Sequence, residues 1–176
     1  MSKRPPREDS HPAVQKNGLS LSGGALMELM QAVHAKGLPF RFNAGGHSMA
    51  PFIRDGDVIC VSPLASRAPG PGDVVAFIHP ETKLPCMHRV LSVRGDRFLI
   101  QGDNMPEQPD GMIPREEIVG RVTRVERDGK RVRLGLGPER LLLAFLSRYG
   151  GLAVIRRWAG PLYACVSRSH APCEKR

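Results

Sequence analysis

No two cysteines in this 176-residue chain are spaced C-x-x-C: Cys60, Cys86, Cys165 and Cys173 stand far apart. A zinc knuckle and a thioredoxin-like redox motif are therefore unsupported, while disulfides remain open. No apolar stretch precedes Leu19 and no run of 18 or more apolar residues occurs anywhere, so neither a cleaved signal peptide nor a membrane span is expected. Internal repeats and low-complexity segments are also absent. Apolar residues are not scarce, at 41% against 24% charged, and that balance excludes a disordered or fibrous chain. Single domains commonly run to roughly 100–200 residues, so one core with two tails is expected. The net charge of +9 favours an anionic partner, nucleic acid or the acidic face of a membrane, or else describes a solvated basic surface.

The pattern along the chain divides it. Residues 1–18 are polar, proline-bearing and too poor in apolar side chains to offset the entropy of ordering, which predicts a disordered lead-in. Over 19–37, Leu26, Leu29, Met30 and Val33 recur at i, i+3, i+4 and i+7, serines stand where an N-cap would, and Gly37 follows the last turn. These features predict an amphipathic helix. Residues 38–136 change period: FRFNA, DVICV, DVVAFI, CMHRVLSV, RFLIQ and IVGRVTRV are short, β-branched or aromatic runs, separated by turns rich in Gly, Pro and Asp. RVERDGKRVRL adds a hairpin with Asp128-Gly129 as its turn. The long GDNMPEQPDGMIP reads as loop, because its prolines exclude a central strand. The expected fold is mainly β, coiled sheets forming a partly open barrel. The pattern turns helical again over 137–166, as two short helices broken by Gly150-Gly151, before a tail at 167–176. Arg148, Arg156 and Arg157 interrupt those apolar stretches. The segment then either caps the β core, the preferred reading, or rests peripherally on a membrane surface through arginines flanking Leu, Phe and Trp.

Three features carry chemistry. In GGHSMAPFIRDGD, residues 45–57, Gly45 and Gly46 permit close backbone approach just before Ser48 and Pro51 stiffens the chain after it. A serine nucleophile needs that kind of exposed turn, with backbone N–H groups free for an oxyanion. Taken alone, such a serine is more often an ordinary turn residue. In CMHRV, residues 86–90, His88 lies in a strand. A strand histidine is most often a satisfied core residue, yet imidazole is also the side chain suited to proton abstraction near neutrality. In GDNMPEQPD, Asp103 and Asp110 lie on a loop that can return a carboxylate to the histidine. That carboxylate would fix the tautomer and stabilise the imidazolium. A plain solvated acidic loop is the alternative.

Taken in order, S-M-x-P, the Gly-Asp-Val-Val-x-Phe strand at 72–77, H-R-V at 88–90, and G-D-N with a later Asp resemble the signal peptidase I family. The resemblance extends to the wider superfamily (S24/S26) that includes LexA-like proteins, and covers roughly residues 43–125. Bacterial signal peptidases and LexA-like proteins use a lysine base. Here His88 occupies that place, as in the Ser-His type of archaeal and endoplasmic-reticulum signal peptidase. The resemblance implies a serine endopeptidase with Ser48 as nucleophile and His88 as base, Asp110 as third member, and Asp103 as a supporting residue or the alternative to it. It also implies cleavage after small residues, a LexA-like or signal-peptidase-like fold, and neither a metal nor an organic cofactor. The substrate would be a peptide or protein segment bound as an extended strand beside Ser48.

The chain departs from those families in lacking a membrane span, in showing one helix where LexA-like members carry a helix-turn-helix, and in placing Phe52 where a small hydroxyl residue commonly follows the proline. Two rival readings share the fold: an inactive peptide-binding member, and a LexA-like regulator. For the second, the positive charge speaks in favour and the missing DNA-binding module against, so a nucleic-acid partner is not expected. The missing targeting segment points to the cytoplasm and the resemblance to a membrane surface, and the first is preferred. His79, Asp57 and Asp73 read as turn residues, Cys60 and Cys86 as small core residues. His47 is set aside as a base because adjacent side chains on extended backbone point opposite ways.

Overall fold

A computed structural model describes residues 22–64, 68–105 and 108–148. The lead-in at 1–18, the second C-terminal helix and the tail at 167–176 lie outside the described residues. Helix α1 (Gly23–His34) is followed by β1 (Phe40–Asn43), β2 (Val58–Ser62), β3 (Val74–Ile78), β4 (Pro85–Arg94), β5 (Arg97–Gln101), β6 (Gly111–Pro114), β7 (Ile118–Arg127), β8 (Lys130–Val132) and α2 (Arg140–Arg148). The strands form one antiparallel sheet in the order β1-β2-β7-β3-β4-β5-β6, with β8 on β7. It is coiled and does not close into a barrel. No helix among the described residues is long and apolar enough to cross a membrane.

Burial explains the strand patterns. In β2, Ile59 and Val61 are buried and their neighbours half-buried, the alternation of a strand with one covered face. β3 is apolar without alternation because both of its faces are covered. Val74 and Ala76 join a core with Met27, Met30, Met49, Ile53, Ile59 and Val61, whereas Val75 and Phe77 join a second core with Val90, Phe98, Ile100 and Ile113. The long strands β4 and β7 serve two and three partners respectively. β4 pairs β3 through Pro85–Arg89 and β5 from Arg89 onward, with a register shift between Val90 and Ser92. Such bulges bend a strand and increase its twist, which coils the sheet. The β7–β8 turn falls at Asp128-Gly129 as expected, both residues having positive φ (50° and 73°), as a tight hairpin turn requires.

Two expectations are corrected. Helix α1 is capped by Ser22, whose Oγ accepts from the Ala25 N–H, but it buries Met27 and Met30 and leaves Leu29 exposed. The covered face is thus rotated from the Leu26–Leu29–Met30–Val33 stripe. The second correction is β6, formed by the last residues of the segment read as loop. β6 is an end strand, where a proline removes no internal ladder bond. Of the predicted C-terminal helices, α2 is formed; it packs Ala144 and Ser147 inward and exposes Leu141, Leu142 and Phe145.

His34, at the end of α1, seats the helix on the sheet. Its ring nitrogens lie 3.1 Å from the carbonyl oxygens of Val119 and Val61. The ring fits because residue 120 is glycine: a Cβ there would stand 2.6 Å from His34 Cε1, 2.7 Å from Val61 Cγ1 and 2.8 Å from the Ser62 carbonyl oxygen. Gly120→Ala is expected to destabilise the fold by about 1–3 kcal/mol, the usual cost of overpacking, read from the urea midpoint at unchanged m-value. An unchanged midpoint would mean that helix and sheet separate freely.

Candidate active site

Ser48 stands on a loop whose ends are tied together. The Ala44 N–H donates to the Asp57 carbonyl (2.7 Å) and the Gly56 N–H to the Ala44 carbonyl (2.9 Å), directly between β1 and β2. Gly46 has φ +87°, which its lack of a Cβ permits, and its N–H donates to Asp55 Oδ1 (3.0 Å). After Ser48 the chain tightens into a helical turn, with N–H groups of Ala50 and Ile53 donating to the carbonyls of His47 and Met49, while Met49 and Ile53 bury their side chains in the core. Asp57 holds the far side of the loop. It accepts from the Arg54 N–H (2.8 Å) and from Arg127 through Nε (2.8 Å) and Nη2 (2.7 Å).

His88 is buried on β4. Its Nδ1 lies 2.7 Å from Asp110 Oδ2, and its ring lies beside that of Phe77, centroids 6.0 Å apart. Asp110 is held in place by its own N–H, which donates to the Ile100 carbonyl (3.0 Å). A carboxylate at Nδ1 favours the tautomer of a neutral imidazole whose proton sits there and whose Nε2 has the lone pair. Gly102 lies against both sides: a Cβ on that residue would meet His88 Nε2 at 3.2 Å, His88 Cδ2 at 3.3 Å and the Ser48 carbonyl oxygen at 2.9 Å. The imidazole and the backbone of Ser48 therefore converge on one point, open because residue 102 has no side chain. Asn104 staples the two sides. Its backbone N–H donates to the Ser48 carbonyl (2.7 Å), and its Nδ2 donates to the His47 carbonyl (3.0 Å).

Asp103 does not meet the imidazole. Both of its oxygens are occupied by Arg89, Nε to Oδ1 at 2.8 Å and Nη2 to Oδ2 at 2.7 Å, and both side chains are completely buried. Of the two carboxylates left open by sequence, geometry brings Asp110 to His88 and gives Asp103 a supporting place behind it. Arg89 Nη1 also donates to the carbonyls of Gly72 and Gly135, each at 2.8 Å.

The other sequence candidates lie apart. His79 accepts at Nδ1 from the N–H groups of Glu81 and Thr82, and Asp73 accepts from the Gly70 N–H, both local turn contacts. Cys86 is half-buried two residues before His88 on the same strand. Burial, with the Asp110 charge adding to it, pushes its thiol up to about 11, so it stays protonated at neutral pH and is no nucleophile. Gly102, Arg89 and Asn104 received no role from sequence reasoning, although all three lie inside the H-R-V and G-D-N motifs.

A model of the Peptidase S24-like family matches residues 22–123, a span that contains Ser48, His88 and Asp110. A comparison with curated proteins gives no match.

Two outcomes are expected here. Asp103→Ala, by leaving the Arg89 guanidinium buried and unpaired, should lower stability by about 3–5 kcal/mol in a denaturant titration; a loss below about 1 kcal/mol would show that water reaches the charge. Because its thiol ionises only near pH 11, Cys86 should react with iodoacetamide at pH 8 at least about tenfold more slowly than an unperturbed thiol of pKa ≈ 8.5, as followed by peptide mapping.

Proposed function

Because the chain belongs to the Peptidase S24-like family, we propose that it is a serine endopeptidase in which Ser48 is the nucleophile, His88 the general base and Asp110 the group that orients His88. One observation carries this reading: His88 Nδ1 stands 2.7 Å from Asp110 Oδ2 while the imidazole edge that includes Nε2 and the backbone of Ser48 both lie against Gly102.

In this mechanism Ser48 Oγ attacks the carbonyl carbon of the scissile peptide while its proton passes to His88 Nε2. The imidazolium that forms is stabilised by Asp110. Collapse of the tetrahedral intermediate releases the amine, which takes the proton from Nε2, and leaves an ester on Ser48. Water, deprotonated by the same nitrogen, then hydrolyses the ester and restores the serine. The Ser48 N–H, at the start of its helical turn, serves the developing oxyanion.

The substrate segment adds as a strand. β1 ends the sheet and runs straight into the Ser48 loop, and residues Pro85–His88 of β4 pair with β3 before β5 pairing begins at Arg89. Both offer backbone donors and acceptors to an extended peptide close to the proposed nucleophile.

The reading is tested by treating the purified chain with a fluorophosphonate and locating the adduct by intact mass and peptide mapping. Ser48→Ala should abolish the adduct. His88→Ala should slow it at least about 1,000-fold, and Asp110→Asn about 100- to 10,000-fold. A folded wild-type chain that never acquires the adduct would instead be a peptide-binding member of the family.

A further inference from the structure

The family match ends at residue 123, yet the chain beyond it returns to the proposed site. Arg127 chelates Asp57 and donates through Nη2 to the Phe52 carbonyl at 3.2 Å. Further along, the Gly135 carbonyl accepts from Arg89. Gly135 has φ +90°, and a Cβ on it would stand 2.9 Å from Phe52 Cβ and Cγ. Its position is held by Glu139, whose Oε1 accepts from the N–H groups of Gly135 (2.7 Å) and Gly137 (3.0 Å). Hydrogen bonds from its own backbone N–H and from these two glycines, with the nearby Arg89 charge, keep the Glu139 carboxyl below the usual carboxylate range. Arg140 secures the end of the segment through Asp73 at 3.2 Å.

Phe52 lies between this brace and the Arg89 guanidinium, whose Cζ stands 5.6 Å from the centre of the ring. The ring therefore joins three things: the turn that carries Ser48 four residues earlier, the residue next to His88, and the segment around Gly135. Because Arg89 follows His88 on an extended strand, its side chain leaves the opposite face, and the ring supports the site from behind.

We propose that Phe52 is a positioning residue for the Ser48–His88 pair, clamped between Arg89 and Gly135 so that the segment beyond the family match sets the alignment of nucleophile and base. The inference rests on the peptidase reading. A cation held over an aromatic face stays attractive when desolvated, and removing the ring frees the Ser48 turn to shift against β4. A displacement of about 1 Å between reacting groups is enough to cost one to two powers of ten in rate.

The test uses the full chain with Phe52→Leu, Phe52→Tyr and Gly135→Ala, the fluorophosphonate as probe, and a temperature at which each variant is folded by circular dichroism. Phe52→Leu and Gly135→Ala should lower the limiting rate of Ser48 adduct formation about tenfold or more while the half-saturating probe concentration changes less than about twofold. Phe52→Tyr, which keeps the ring face, should restore the wild-type rate. A Phe52→Leu variant that reacts at the wild-type rate overturns the proposal, as does a Tyr variant no better than Leu. Should the wild type itself form no adduct, the peptidase reading fails, and the clamp is judged from the NMR signals of the His88 ring. Signals displaced in Phe52→Leu and restored in Phe52→Tyr support it, and signals unmoved in both overturn it.

Discussion

The structure around the site depends on one buried cation. Arg89 is wholly inaccessible, and a guanidinium stripped of water is tolerated only when its N–H groups are almost all met by acceptors. Four of its five donors are used: two on Asp103, one on Gly72 and one on Gly135. Those acceptors come from the loop after β5, the turn before β3 and the segment after β8. None of the three can move without exposing an unpaired buried charge, so a single side chain fixes the relative placement of segments far apart in sequence. The rigid planar fork of arginine suits this role in a way that a lysine would not.

The site is then a matter of strand parity. His88 and Arg89 are consecutive on β4, so one side chain faces the Ser48 loop and the other faces the interior brace. The register of β4 with β3, Val75 opposite His88 and Val74 opposite Arg89, is secured by the two cores on either side of β3. A slip of one residue would send the guanidinium toward the Ser48 loop and the imidazole into the brace. The bulge beyond Val90 bends β4 only after both residues have been placed.

Much of this was legible in the amino-acid order, and the exceptions have physical causes. The strands announced themselves because β-branched runs between Gly, Pro and Asp turns admit few other structures. Ordered motifs, each of them weak alone, singled out Ser48, His88 and Asp110, and the last two meet in the structure. The covered face of α1 was misjudged because periodicity weighs Leu above Met, whereas the helix lies where His34 and Gly120 let it sit. β6 was hidden by prolines that exclude central strands and leave end strands possible. The partner of Asp103 was out of reach for a different reason: a loop with two carboxylates does not reveal which one turns inward.

That ambiguity has a chemical resolution. His88 and Arg89 offer two adjacent nitrogen groups, and the loop from Gly102 to Asp110 offers two carboxylates. The exchanged pairing would leave a permanent cation in the interior dependent on a loop residue held only near the surface, and would give the imidazole a carboxylate with no freedom to adjust. In the pairing observed, the guanidinium, which cannot lose its charge, takes the fully buried carboxylate in a two-point contact that satisfies both oxygens. Asp110, slightly exposed, takes the group that can change protonation. A histidine that exchanges a proton during a reaction needs such a partner, because the charge it gains and loses must be accommodated without rearranging the core. Under the proposed function, the separation of a fixed ion pair from a proton-carrying pair one residue away would let the same strand serve stability on one face and reactivity on the other.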